Sequence, residues 1–150
     1  MLAKHHRSIG LSEDIAYSAV SATSLENPLA TNLPINDPEV EEKVLHEIME
    51  KLEASRSPVI VVDGGAARTS WEHNATALVD ALRVPFFTTV LGKGIVNEQD
   101  KLYGGCYSGL ASWEAAAKAV EASDCVLWLG GFPTDLNTYD RAYLPYHDQY

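Results

Sequence analysis

From residue 37 onward the chain switches repeatedly between two hydrophobic periodicities. Val40, Val44, Ile48 and Leu52 recur at four-residue spacing, with Leu45 and Met49 beside them. That is the apolar stripe of an amphipathic helix. Asp37 is placed to cap it, Pro38 suits the first helical position, and Glu39 favours the positive end of the helix dipole. Pro58-Val59-Ile60-Val61-Val62-Asp63 follows, apolar and β-branched without alternation. This predicts a strand covered on both faces, as in a parallel sheet. Gly64-Gly65-Ala66-Ala67 turns the chain. Thr69 and Glu72 have the spacing of a capping box, and Trp71, Ala75, Leu78 and Leu82 line one face of a second helix. Pro85 to Leu91 predicts a second strand, which breaks at Gly92-Lys93-Gly94 into an acidic loop and a glycine cluster around Tyr107. Ser112 is placed to cap a third helix, Trp113 to about Ala122. Cys125-Val126-Leu127-Trp128-Leu129 predicts a third strand, ending at Gly130-Gly131.

Strands and helices that alternate in this order build right-handed βαβ units. The fold class is therefore α/β, a parallel sheet with helices on both faces. Three strands are few for this architecture. The tail after Arg141 shows no further strand or helix, so the sheet reads as truncated at its C-terminal end. Residues 1–36 lack sustained periodicity and carry Pro28 and Pro34, the composition of a linker.

Composition narrows the possibilities. A chain of 150 residues with 46% hydrophobic content forms one domain, or one domain with a tail, with a real core. A net charge of -10, from 21 acidic and 11 basic residues, argues against nucleic acid and anionic membranes as partners. Cys106 and Cys125 form no disulfide framework and no CxxC. No apolar run has the length of a membrane span, and the start lacks the apolar segment of a secretory signal. These features together suggest a cytoplasmic protein.

The candidate chemistry lies at the glycine turns. Open parallel sheets bind ligands beyond the carboxyl ends of their strands. Gly64 and Gly65, Gly92 and Gly94, and Gly130 and Gly131 all fall there, as candidate ligand-facing turns. Known phosphate motifs do not fit. A dinucleotide fingerprint needs a third glycine where Asn97 stands. A phosphate loop needs glycine at Phe87 and a hydroxyl at Gly94. Gly105-Cys106-Tyr107-Ser108-Gly109 places Tyr107 where a nucleophile elbow has serine, and Ser108 has no evident histidine partner. His5 and His6 are adjacent in an unpatterned tail, and His46, His73 and His147 are scattered without ligand spacing. Lys93, between two glycines, has the ordinary role of a solvated loop tip. Asp135 and Asn137 suit backbone bonding in a turn, and Trp71, Trp113 and Trp128 suit core or interface. No catalytic residue and no metal ligand set emerges.

Several stretches in order resemble the central domain of thiamine diphosphate-dependent 2-oxo-acid decarboxylases, the pyruvate decarboxylase family. P-L-A-T-N-L-P-I-N-D-P-E at 28–39 is similar to the linker into that domain, and S-P-V-I-V-V-D at 57–63 to its first strand. V-L-G-K-G-I-V-N-E-Q at 90–99 matches a strand, G-K-G, and a glutamate four residues on. G-C-Y-S-G at 105–109 and T-D-L-N-T at 134–138 resemble the decarboxylase branch in particular. G-L-S-E-D-I at 10–15 is similar to the G-L-P-A-D strand that closes the preceding pyrimidine-binding domain. Tyr139 stands where the family usually has glycine.

The resemblance implies a Rossmann-like sheet of six parallel strands, joining the domain that binds the cofactor's pyrimidine to the one that binds its diphosphate through Mg²⁺. It implies that residues 1–36 are the tail of a preceding domain plus linker, and that 37–150 are an incomplete central domain. The family's activating glutamate, its G-D-G…N metal motif and its catalytic histidines have no counterparts here, so no catalytic residue is carried over. Thiamine diphosphate and Mg²⁺ are then held by domains outside this chain. Its implied partners are those domains or a homologous subunit, in a homo-oligomeric family. The whole enzyme would decarboxylate a 2-oxo acid to an aldehyde, and this portion alone would be inactive. Two other readings stand beside it. One is a free-standing Rossmann-like module for FAD or an adenine nucleotide, suggested by Gly92-Lys93-Gly94. The other is a non-catalytic subunit that pairs through Trp113 and an uncovered sheet edge.

Overall fold

The computed structural model describes residues 10–26, 35–68, 71–132 and 134–139. His5, His6, most of the 28–39 linker, Thr69, Pro133, His147 and the tail after Arg141 lie outside these. The chain divides into two compact units, residues 1–41 and 42–150. The first holds a short helix, α1 (Glu13–Ala16), and a 3-10 turn (Ala22–Glu26). The segment that resembles a closing strand is thus helical at its end. Glu13 and Asp14 fall in the first turn of α1, where the helix dipole favours negative charge.

Helix α2 (Pro38–Ala54) starts as the sequence predicts. Asp37 Oδ1 accepts the N–H groups of Glu39 at 3.0 Å and Val40 at 3.4 Å. Its apolar stripe is uncovered, however: Val40, Val44, Leu45 and Met49 are all exposed, and Ile48 and Leu52 are only partly buried.

The second unit is built on a four-stranded parallel sheet in the order β3-β2-β1-β4. The strands are β1 (Pro58–Val62), β2 (Phe86–Thr88), β3 (Tyr103–Cys106) and β4 (Cys125–Leu129). Between them lie α3 (Gly64–Arg68), α4 (Glu72–Leu82) and α5 (Glu114–Glu121), and α6 (Asp135–Thr138) follows β4. β1 alternates between two cores. Ile60 and Val62 pack with Ala75 and Val79 of α4 and with Phe86. Val59 and Val61 pack with Ala116 and Val120 of α5, Phe87 and Tyr107. Helices therefore cover both faces, which is why β1 carries no polar alternation. Each of the buried Val, Ile and Phe side chains contributes roughly 1.5–3 kcal/mol by leaving water.

Three local expectations are corrected. β2 ends at Thr88 rather than Leu91: the Thr89 N–H makes the last ladder bond, to the Val62 carbonyl, and the Gly92 N–H then bonds back to the Thr89 carbonyl as the chain turns. The acidic loop hides a fourth strand, β3. Its Tyr-Gly-Gly-Cys sequence has little strand propensity, and it is held by tertiary contacts instead. The Tyr103 ring lies 5.6 Å from that of Phe86, and its hydroxyl bonds to Thr88 Oγ1 at 2.9 Å. Gly104 leaves room for the Phe87 ring, which a Cβ would meet at 2.2 Å. Neither α4, whose N-cap is Trp71, nor α5, whose N-cap is Trp113, is capped by a side chain. Ser112 Oγ instead accepts the Ser108 N–H at 2.7 Å.

At the amino end of the sheet, Asp124 joins two loops. Its carboxylate accepts the Ser55 hydroxyl and the N–H groups of Arg56 at 2.8 Å and Ser57 at 2.9 Å. These bonds, the Ser55 hydroxyl first, lower its pKa from 3.8 to about 2. A depressed folded pKa gives stability that is fully present above the unfolded value and lost as pH falls toward the folded one. Asp124→Asn is therefore expected to lower the melting temperature at pH 6, with the gap closing between about pH 4 and pH 2. Melting curves across that range check it. A gap that is constant with pH refutes this account.

Candidate functional site

The strand order reverses at β1, since β2 and β3 extend the sheet on one side and β4 on the other. The crevice beyond the carboxyl ends of β1 and β4 is the switch point where such sheets take ligands. Asp63 sits there, directly after β1, with no exposed surface. A buried carboxylate is tolerated only if its oxygens are fully bonded. Asp63 accepts five hydrogen bonds, which reach it from α3, from α6 and from the ends of β2 and β4. Oδ1 takes the Gly64 N–H at 2.6 Å, the Thr89 hydroxyl at 2.6 Å and Asn137 Nδ2 at 2.8 Å. Oδ2 takes the Trp128 indole N–H at 3.0 Å and the Phe132 N–H at 2.7 Å.

The glycine turns surround this carboxylate. The Gly65 N–H bonds to the Gly130 carbonyl at 2.8 Å, and a Cβ on Gly65 would lie 2.2 Å from that oxygen. A Cβ on Gly130 would lie 2.1 Å from the Ala66 nitrogen. At Gly92 a Cβ would meet the Val62 carbonyl oxygen at 2.1 Å, and at Gly64 the Leu91 Cβ at 2.7 Å. In these turns the space beside each Cα is taken by the chain itself. Gly94 and Gly131 are different: Gly94 faces open space, and Gly131 sits against the Trp128 ring at van der Waals distance.

The charged and nucleophilic candidates are engaged internally. Lys93 Nζ lies 2.6 Å from Glu98 Oε2, and Glu98 Oε1 accepts the Gly94 N–H at 2.9 Å. Lys93 and then the Gly94 N–H hold the Glu98 carboxyl below its usual pKa. The glutamate four residues after G-K-G thus closes the turn. Tyr107 is buried at the centre of its glycine cluster. Burial, and then Glu121, pushes its pKa up to about 12, so it carries its proton at neutral pH. Ser108 is buried and donates its hydroxyl to the Asn137 carbonyl at 3.1 Å. Burial raises the Cys106 thiol pKa, which opposes thiolate formation. His46 and His73 are exposed, His46 beside Glu50 at 3.2 Å. Trp71 and Trp113 are exposed rather than core, while Trp128 is partly buried and bonded to Asp63.

The sequence patterns do not single out Asp63, and they mark Asn137 only as a turn residue. The signal for Asp63 was a carboxylate directly closing an apolar strand, a position that is costly without dedicated donors. No comparable signal marked Asn137, whose partners are 5, 46 and 74 residues away. Among the described residues no group of three or more His, Cys, Asp or Glu side chains is placed to hold a metal ion. Among the described residues, too, no helix is long and apolar enough to cross a membrane.

Comparison with known proteins places this architecture. Residues 45–149 match the family described as thiamine pyrophosphate enzyme, central domain. Pyruvate decarboxylase isozyme 3 of Saccharomyces cerevisiae is 36% identical over 135 residues, which are 90% of this chain and 24% of that protein. The pyruvate decarboxylases of Candida glabrata and Aspergillus terreus are 36% and 37% identical over the same shares. The chain spans about a quarter of the length of the curated relatives it matches. With a matching stretch that runs from within α2 past the end of β4, the chain belongs to the thiamine pyrophosphate enzyme central-domain family.

Proposed function

We propose that this chain is the central-domain portion of a pyruvate decarboxylase-like enzyme, with residues 1–36 leading into it from a preceding domain. It acts as the spacer between cofactor-binding domains and has no turnover of its own. The observation that carries this reading is a closed crest beside open apolar flanks. Among the described residues no buried side-chain nitrogen or oxygen lacks a hydrogen-bond partner. Yet in the segments that follow the carboxyl ends of β2, β3 and β4, large apolar side chains face water. Val90 is 49% exposed, Leu110 60%, Trp113 85% and Tyr139 61%. Apolar surface grouped in this way marks contact with other protein. The flanking domains of the same enzyme, or those of a homologous subunit in an oligomer, are its partners.

The described residues do not fit a thiamine diphosphate or Mg²⁺ site. The metal lacks a ligand cluster, and four of the six candidate glycines abut the chain's own atoms. No step of the decarboxylation is therefore assigned to them. In the whole enzyme the cofactor supplies the carbanion-stabilising chemistry. The free cysteines Cys106 and Cys125 suit a cytoplasmic enzyme.

The pure chain, given pyruvate, thiamine diphosphate and Mg²⁺, is expected to release no aldehyde above a blank, and its melting temperature to stay unchanged with the cofactor. Steady aldehyde production that co-elutes with the chain refutes the proposal. Stabilisation by FAD or an adenine nucleotide, which saturation would make a few kcal/mol, favours the nucleotide-module reading instead.

A further inference from the structure

We infer that Asn137 is the latch of a strap that covers the switch-point crevice. This rests on hydrogen bonds within the chain and is independent of the decarboxylase reading. The described residues after β4, 130–132 and 134–139, lie at the crest of the sheet, and Asn137 fastens them to all four strand ends. Its Nδ2 donates to Asp63 Oδ1 beyond β1 at 2.8 Å, and to the Phe132 carbonyl beyond β4 at 2.9 Å. Its Oδ1 accepts the Leu91 N–H beyond β2 at 3.1 Å. Its backbone carbonyl accepts the Ser108 hydroxyl beyond β3 at 3.1 Å. The residue is 1% exposed. Helix α6 is a single turn that presents it: Thr134 Oγ1 accepts the Asn137 N–H at 3.3 Å, and the Thr138 hydroxyl returns to the Thr134 carbonyl at 3.0 Å.

Because one amide group holds three of these partners, they cannot be released singly. Moving Asn137 away takes the side-chain acceptor from the Leu91 N–H and one donor from Asp63 in the same motion. Buried polar groups without partners are costly, so partial release is disfavoured. The strap therefore opens as one unit. It opens more readily than β1, which is paired on both sides by β2 and β4. Only the open form uncovers Asp63 and the Gly65–Gly130 contact.

Native-state hydrogen exchange on the full chain tests this. The Leu91 and Phe132 amides, both bonded within the strap network, are expected to share one opening, with at least ~10-fold lower protection than the Ile60 amide of β1. Asn137→Asp replaces the donor to Asp63 with a second carboxyl. Two carboxylates at this separation do not both stay ionised without repulsion, and one shared proton restores a donor. The groups bonded directly to Asp63 carry no formal charge. The charged side chains on the surrounding elements are Arg68 of α3, which lies over the Phe132 ring at 4.4 Å, Asp135 of α6, and Lys93, held by Glu98. At pH 7 the variant is expected to lose ~10-fold or more protection at Leu91 and Phe132, with Ile60 held within ~2-fold. At pH 5 part of that loss is expected to return. Loss of protection at Ile60 in step with the other two at every pH overturns the latch, as does an unchanged variant. If Asn137→Asp does not fold, the wild-type chain decides: equal protection of Leu91, Phe132 and Ile60 ends the proposal.

Discussion

Asp63→Ala is expected to lower the unfolding free energy by about 3–5 kcal/mol. The carboxylate lies at zero exposure and accepts from Gly64, Thr89, Trp128, Phe132 and Asn137. Alanine leaves all of these donors facing a small cavity. Each buried donor without an acceptor costs about 1–3 kcal/mol, and relaxation keeps the sum below simple addition. The loss is comparable to much of the total stability of a domain this size, so the variant is expected to be largely unfolded at 37 °C. Asp63→Asn separates charge from shape. It keeps one acceptor oxygen but aims an NH₂ group at existing donors, so its cost falls between wild type and alanine. Urea unfolding followed by circular dichroism measures both. A loss under 1 kcal/mol for alanine shows that the hub does not organise the crest.

Gly130→Ala is expected to cost about 3 kcal/mol or more. Two effects combine at this position. Gly130 has φ of +66°, which is strained for a residue with a Cβ, by about 1 kcal/mol. The added methyl would also lie 2.1 Å from the Ala66 nitrogen and 2.7 Å from the Gly65 carbonyl carbon. Those are backbone atoms of α3, so β4 and α3 must separate, at a further 1–3 kcal/mol typical of overpacking. Gly94→Ala is the internal control. Its φ is +82°, but nothing lies within 4 Å of the added methyl. Only the backbone term remains, about 1 kcal/mol. Urea midpoints for the two variants separate close approach from chain conformation. Equal losses rule out the close approach as the source of the difference.

The elements that were legible in the sequence share one property: their hydrophobic pattern is local. β1 and β4 are unbroken apolar runs, and α2, α4 and α5 carry a stripe or a cap readable within a few residues. β3 was not legible because Tyr103-Gly104-Gly105-Cys106 is strand only by virtue of Phe86, Phe87 and Thr88 beside it. The cap expected at Ser112 is not made by that side chain. In a hydroxyl residue several backbone partners compete, and the turn geometry that chooses among them is not local. The stripe of α2 is legible as apolar but its exposure is not, because periodicity reports which face is apolar and not what covers it.

For the candidate site, the sequence by itself determined that glycine turns follow β1, β2 and β4, and that a lone acid closes β1, because residue identity alone restricts what a turn or a strand end is able to be. It also carried, in collinear motifs, the family to which the chain belongs. Only the tertiary structure decided that Gly65 and Gly130 touch each other, that Glu98 takes up Lys93, and that Asp63 and Asn137 meet across 74 residues. The physical reason is distance along the chain. Backbone preference and side-chain period act over a few residues, whereas a buried hydrogen bond forms wherever folding brings donor to acceptor and excludes water.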